Sequence, residues 1–375
     1  MLGAWLDATL KERDRTLSSG FRFIPVIDFT RGKRVRLVYR ARSKVANLWH
    51  RFARVETNWQ LGYAYREQRY EAFAQDADLY IAHHEQAMAV AIDLMRAGRP
   101  VALDMEDWFS EDLTGEVRKQ RPLGLLRSLE KKLLLKGRYC SCPSRSMRDA
   151  LVQEYRCVAP AIIYNSFSLN ERSAIDGIHK DRSDLEIVSI HWFSQTLGEG
   201  RGLEDLLAAL GFLRSKVEIH LRGQAPADFE SWLSSRVPAG WRSRIFVHPQ
   251  VPNNELLSRI AEHDIGFAGE MKWSRSRNLT ITNKILQYLL GGLAVIASDT
   301  AGQREVAEKA PGAVVLYPSG NAQALAKRID ELVQSATALT NAKQAALRSA
   351  HDTFCWERQE HRLLELVDRA VSISY

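Results

Sequence analysis

The sequence has little with which to build covalent or metal-bound structure. Only four cysteines, Cys140, Cys142, Cys157 and Cys355, stand in 375 residues, and none has zinc-ligand spacing. They read as reduced cysteines of a core, with Cys140 and Cys142 on one face of a short strand. No apolar run approaches the ~20 residues of a membrane-crossing helix. The amino terminus, MLGAWLDATLKERD, has no basic stretch followed by an apolar core, so no secretory leader is expected. No short-period repeat or low-complexity tract interrupts the chain.

Acidic residues are missing from one long stretch. No Asp or Glu falls between Asp28 and Glu56, while Arg31, Lys33, Arg34, Arg36, Arg40, Arg42, Lys44, Arg51 and Arg54 accumulate there. The net charge of +7 is therefore a local excess. Trp49 and Trp59 flank its end. A cationic segment with nearby tryptophans, residues 31–54, suits an anionic membrane surface or a phosphorylated acceptor. Nucleic acid competes for the same charge, and a solvated face needs no partner at all. No zinc-finger or RNA-recognition signature accompanies the segment, so no nucleic acid is expected as a partner.

What is present is an ordinary globular composition, 45% hydrophobic and 26% charged, in a chain long enough for two domains. Short apolar runs alternate with helical patterns in both halves. In the first half a helix is expected over residues 3–17 and a strand over 21–27. Further strands fall at 78–82, 100–104, around Cys140 and Cys142, and at 161–164. Ser144 or Ser146 is expected to cap the helix before Tyr155. In the second half, strands are expected at 186–190, 217–221, 244–247, 265–268, 293–297 and 313–316. This alternation predicts parallel sheets. The polar stretch 167–185 reads as a linker. Two α/β halves joined in this way imply a cleft where ligands sit.

The most informative stretch is Asn283–Glu305, NKILQYLLGGLAVIASDTAGQRE. Ile285, Leu286, Leu289 and Leu290 recur at helical spacing. Gly291 and Gly292 stop that helix. The run from Leu293 to Ala297 has the apolar character of a strand buried on both faces. A polar turn and another helix follow. This order places the turn at the carboxyl end of a parallel strand, the edge where open α/β sheets bind ligands.

These residues, with Phe354-Cys355-Trp356-Glu357 near the end, resemble the GT-B glycosyltransferases, specifically the retaining family-four group (group 1 glycosyltransferases). The resemblance is specific in Asn283–Glu305, covers most of 76–375 and is weak before residue 76. It implies a GT-B fold: two Rossmann-like parallel-sheet domains facing a cleft, with a C-terminal helix crossing back to the first domain. The domains would be 1–166 on the acceptor side, the linker 167–185, a donor domain 186–353 and the crossing helix 354–375. The first strand and glycine-rich loop that open the family fold have no counterpart before Phe21, which implies a truncated first domain.

The resemblance also assigns residues. Asn283 and Lys284 match the family motif, and Gln287 stands where the family has a ribose-binding Glu. Glu270 lies in the loop of the family's sugar-contacting Glu, at a different spacing, with Lys272, Arg275 and Arg277 nearby for a diphosphate. Arg201-Gly202 matches a phosphate-binding Lys-Gly, with Thr196 near the position of its partner Arg. In the first half, Glu106 stands where relatives carry a His near the reacting sugar, and His83 matches a strand-end His. The implied function is transfer of a hexose, with retention, from a UDP- or GDP-linked sugar to a polysaccharide or lipid-linked acceptor. That would serve bacterial surface-glycan synthesis, in the cytoplasm or at the inner face of the cell membrane. No cofactor and no metal are expected, because the family uses lysine and arginine at the diphosphate. The alternative is a degenerate GT-B protein that binds nucleotide sugar, or acts as a scaffold, without turnover.

Overall fold

The computed structural model describes residues 1–5, 7–18, 20–113 and 115–372. The chain divides into two units. Unit 1 comprises Met1–Cys142, Arg148–Ile162 and Glu365–Tyr375, and unit 2 comprises Pro143–Met147 and Ile163–Leu364. The final helix, Trp356–Ser372, is therefore shared between them. Residues 373–375 of the expected crossing segment lie outside the described residues.

Unit 1 opens with a correction. Residues 3–17 do not form one helix. Leu2–Trp5 is a strand, β1, and the helix begins only at Ala8. Strand β1 pairs in parallel with β2, Ile24–Asp28. Local helical periodicity is overridden here by pairing with residues ~20 positions away, a non-local contact that propensity does not report. A strand thus precedes the first helix, where none was expected.

Four further strands, β3 (Tyr80–Ala82), β4 (Val101–Asp104), β5 (Cys140–Cys142) and β6 (Ala161–Ile162), form a parallel sheet in that order. The apolar run of β4 is buried on both faces, as a central parallel strand requires. The helix Glu85–Arg96 packs through Met88, Ile92 and Leu94. All four cysteines are free and buried.

Unit 2 holds β7 (Val188–Thr196), β8 (Val217–Gln224), β9 (Ile245–His248), β10 (Ile265–Ala268), β11 (Ala294–Ser298) and β12 (Val314–Tyr317). The sheet is parallel throughout, in the order β12-β11-β10-β7-β8-β9. The chain winds outward from β7 to β9, then restarts at β10 on the other side of β7. This is the doubly wound arrangement, and its switch point lies between β7 and β10. Trp192, Leu221, Phe267, Ile296 and Tyr317 fill the core. The helix Asn283–Gly291 ends at Gly292, whose φ of 78° is the left-handed cap that glycine adopts without Cβ strain. Ser144 caps the helix Arg145–Tyr155 by accepting from the Met147 N–H at 2.9 Å.

Two features of unit 2 lie beyond the sequence pattern. Residues 167–185, read as a linker, are counted within unit 2. Asp176 pairs with Arg259 at 2.5 Å, Lys180 with Glu255 at 2.8 Å, and Asp181 with Arg222. Strand β8 alternates apolar and polar residues, yet both faces are buried. Its polar face carries His220, which meets a column of histidines. His220 lies 5.3 Å from His248 and 4.6 Å from His263, and His263 stacks on His191 at 4.6 Å.

Candidate functional site

In unit 2 the carboxyl ends of β7 and β10 flank the switch point and carry the two loops that matter. The β7 loop contains Gly198, Gly200 and Gly202, all at positive φ, and leads into the helix Leu203–Ala209. A Cβ on Gly202 would lie 2.6 Å from the Gly269 carbonyl carbon, so the two loops touch backbone to backbone. Arg201, beside that contact, is exposed, and its carbonyl accepts from the Trp192 indole N–H at 3.4 Å.

The β10 loop carries Glu270, which is 2% exposed. Its N–H donates to Ser298 Oγ at 2.7 Å, and its carbonyl accepts from Ser319 at 3.1 Å. Its carboxylate accepts from Lys284 Nζ at 3.2 Å and lies 3.5 Å from Arg277. Lys284 is buried, and its ammonium stands 5.3 Å from the centre of the Trp192 ring. Burial pulls the Lys284 pKa below its usual value, while Glu270 opposes the fall.

The fold therefore brings together Arg201, Gly202, Glu270 and Lys284. Asn283 is exposed in the first turn of the helix Asn283–Gly291. Its N-cap, Thr282, makes no capping hydrogen bond, and the Thr282 hydroxyl is buried without a partner. Uncapped N–H groups at a helix start favour an anion. Gln287 lies one turn further on, half-buried, and holds no side-chain hydrogen bond among the described residues. Trp192 escaped the sequence reading because its place beside Lys284 comes from the sheet register, not from any motif. The first loop was marked in the sequence by Arg201-Gly202, and the spaced glycines Gly198, Gly200 and Gly202 were a second signal for it.

In unit 1 the ends of β3 and β4 converge. His83 Nδ1 lies 3.0 Å from Asp104 Oδ2 and 3.6 Å from Glu106 Oε1. His84 Nδ1 lies 3.5 Å from the other Glu106 oxygen. Hydrogen bonds to Asp104 and Glu106 push the His83 pKa up to about 9, so the imidazole is a cation near neutrality. Ser141 donates to Asp104 at 2.8 Å. His84 has φ 58° and ψ 158°, a backbone region held almost only by glycine, and such strain persists where surrounding structure enforces it.

The segment after Glu106 is fixed from behind. The Ser110 N–H and hydroxyl donate to Glu130 at 2.8 and 2.6 Å, and the Tyr155 hydroxyl donates to it at 2.6 Å. Glu111 is occupied by Arg118 and Arg127. Asp104 was missed by the sequence reading, because only the parallel pairing of β3 and β4 sets it beside His83. The sequence also has no metal-ligand spacing. Even so, one ligand-type atom from each of His83, Asp104 and Glu106 falls within 4.8 Å of the others.

A cleft of about 420 Å³ adjoins this group, lined by Leu61, Tyr63, His84, Gln86 and Phe109 among others. Its walls are apolar and aromatic with a few polar groups, the usual make-up of a small-molecule site.

Residues 190–335 match the family model described as Glycosyl transferases group 1. No curated protein matched the sequence significantly. Among solved structures, the chain is similar to Anabaena HepE in complex with UDP, with 19% identity and a TM-score of 0.71, over 98% of this chain and 91% of that one. It is also similar to a glycosyltransferase from Rickettsia africae, with 12% identity and a TM-score of 0.65, over 98% and 89% of the two chains. A third similar structure is the α,α-trehalose 6-phosphate synthase of Burkholderia multivorans, with 14% identity and a TM-score of 0.65, over 94% and 86%. The doubly wound unit 2, the parallel-sheet unit 1 and the likeness to these structures show a GT-B fold, and within it residues 190–335 match the group 1 glycosyltransferase family model.

Proposed function

We propose that the protein transfers a hexose from a nucleoside diphosphate sugar, with retention, to a polysaccharide or lipid-linked acceptor. The acceptor would be presented at the inner face of the cell membrane, in surface-glycan synthesis. The observation that carries the donor half of this reading is the convergence of Arg201, Lys284 and Glu270 at the β7/β10 switch point. The leaving group of such a reaction is a nucleoside diphosphate. Lys284, Arg201 and the start of the helix Asn283–Gly291 would meet its developing charge, the largest catalytic contribution available to such a site. Gly202 lets the main chain approach the phosphates closely. Glu270 would accept from sugar hydroxyls, and Gln287 from the ribose. That Anabaena HepE was crystallised with UDP and with UDP-glucose supports a uridine donor.

On unit 1, His83 and Glu106 are assigned to the reacting sugar and acceptor. Asp104 and Glu106 hold His83 protonated, so it would act as a fixed cation and hydrogen-bond donor rather than a base at neutral pH. The test is nucleotide release from a panel of UDP- and GDP-sugars, with thermal shifts in UDP and GDP. No release and no shift across the panel would count decisively against a donor site. A shift without release would favour a subunit that binds nucleotide sugar without turnover.

Position 287 offers a sharper check. Gln donates or accepts neutral hydrogen bonds, whereas a carboxylate accepts charge-assisted ones, which are roughly twice as strong. A Gln287→Glu protein is expected to bind UDP or GDP about fivefold to tenfold more tightly, measured by calorimetry. An unchanged affinity would remove Gln287 from the ribose.

A further inference from the structure

The basic segment forms a helix, Lys33–Ala53, that is turned inside out. Its packed side is small and polar, with Ala46 and His50 buried and Tyr39 and Ser43 half-buried. Its apolar side faces solvent. Leu37 is 65% exposed, Trp49 61% and Phe52 77%, with Val38, Val45 and Leu48 each more than half exposed. At ~100° per residue these six positions fall within an arc of about 120°, the width of the stripe that normally faces a core. Exposed Arg40, Lys44 and Arg51 border the arc, and no ion pair forms on them among the described residues. The helix carries no acidic residue, whereas Arg42, on the other flank, is already paired with Glu67.

We infer that this helix lies in the interface of an anionic bilayer, with the arc from Leu37 to Phe52 in the acyl region and Arg40, Lys44 and Arg51 on lipid phosphates. Charge argues against a second copy of the chain as the occupant. A two-fold contact through this arc would gather three such cations from each copy at its rim, and neither helix carries an acidic residue to meet them. A bilayer bearing anionic headgroups neutralises them while covering the apolar arc. Trp49 suits the headgroup boundary, where tryptophan concentrates.

The helix also reaches toward the unit 1 cleft. Tyr39 packs 5.9 Å from Phe29, and Phe29 lies 5.9 Å from Tyr63, which lines the cleft. Docking through the helix would therefore bring that cleft near the lipid surface. In this respect the inference deepens the acceptor half of the proposed function and rests on that reading.

The test is co-sedimentation of the full chain with vesicles of phosphatidylcholine alone and of phosphatidylcholine with phosphatidylglycerol. Binding to the anionic vesicles is expected to be at least ~10-fold stronger and to weaken with salt. A variant carrying Leu48→Glu, Trp49→Glu and Phe52→Glu should lose at least ~10-fold in vesicle affinity with an unchanged melting profile, because these side chains are exposed. Arg40→Gln, Lys44→Gln and Arg51→Gln together should erase the preference for phosphatidylglycerol.

The inference is overturned if the wild-type chain stays in the supernatant with both vesicles, or if the triple Glu variant pellets like the wild type. It is equally overturned if sedimentation velocity shows a dimer that the triple Glu variant dissolves while vesicles are left unbound. Neither assay reads nucleotide binding. Failure here thus leaves the UDP and GDP shifts to report separately on the donor site.

Discussion

A Lys284→Met protein is expected to lose about 3 kcal/mol of stability and to bind UDP or GDP roughly 100-fold more weakly. Both effects follow from burial. The Lys284 ammonium is almost wholly withdrawn from water and is held by Glu270 and the Trp192 ring. Removing it leaves the Glu270 carboxylate, 2% exposed, with Arg277 at 3.5 Å as its remaining ion-pair partner among the described residues. An unpaired buried charge costs far more than the pair itself contributes.

The two effects separate in a double variant. Adding Glu270→Gln removes the stranded charge and should recover most of the lost stability, read as the urea midpoint. It should not recover nucleotide binding, since the cation opposite the diphosphate is still absent. If calorimetry shows the double variant binding UDP or GDP as the wild type does, Lys284 is a structural cation and the donor assignment fails.

Acid is expected to unfold unit 2 well before it protonates ordinary carboxylates. His191 and His263 are fully buried, and burial drives both far below the usual imidazole range; the neighbouring histidines, with Arg222 for His191 and Arg182 for His263, add to the fall. Burial, with His248 and two arginines, brings His220 down to about 3. Among the described residues neither His191 nitrogen has a hydrogen-bond partner, and His263 Nε2 has none either, although Asp181 Oδ2 lies 4.0 Å from it.

A histidine whose folded pKa is depressed contributes its full stability above the unfolded value of 6.5. That stability is lost as pH falls from there toward the folded value. At about pH 5 His220, whose folded pKa is about 3, costs about 2 kcal/mol, a sizeable share of the 5–15 kcal/mol that holds an ordinary domain, and His191 and His263 act in the same direction. Urea midpoints measured from neutral pH to about pH 5 should fall steeply. His191→Phe, which removes one titrating ring from the stack, should flatten the fall. A midpoint constant over that range would mean the column takes up protons in the folded state.

His83 runs the other way. Its pKa is raised to about 9, so its contribution is complete below 6.5 and disappears as pH rises through about 9. Its side chain is 47% exposed, and solvent screening makes that alkaline loss small.

The stretch Asn283–Glu305 illustrates how much was legible in advance. Helix Asn283–Gly291, its Gly292 cap and the buried strand β11 follow from periodicity, glycine and an apolar run, all of them local. Lys284 and Glu270 were named as separate candidates, because nothing in a separation of fourteen positions says that their side chains meet. That contact exists because β10 and β11 are neighbours in register, which sets the β10 loop over the start of the helix between them.

The amino-terminal region failed for the complementary reason. Residues 3–5 look helical by themselves and become a strand only by pairing with Ile24–Asp28. The basic segment was legible as charge, but not as a helix with its apolar arc outward. Amphipathic periodicity gives a stripe and leaves open whether core, solvent or lipid covers it.

The sequence by itself determined the class of fold, the helix–glycine–strand pattern of Asn283–Glu305 and the local excess of positive charge, since each depends on residues close together in the chain. Only the tertiary structure decided that Glu270, Lys284 and Trp192 share one site, that Asp104 and Glu106 hold His83 protonated, and that four histidines stack in the core. Those contacts join strands distant in sequence, and strand order and register, which create them, are fixed by packing of the whole sheet.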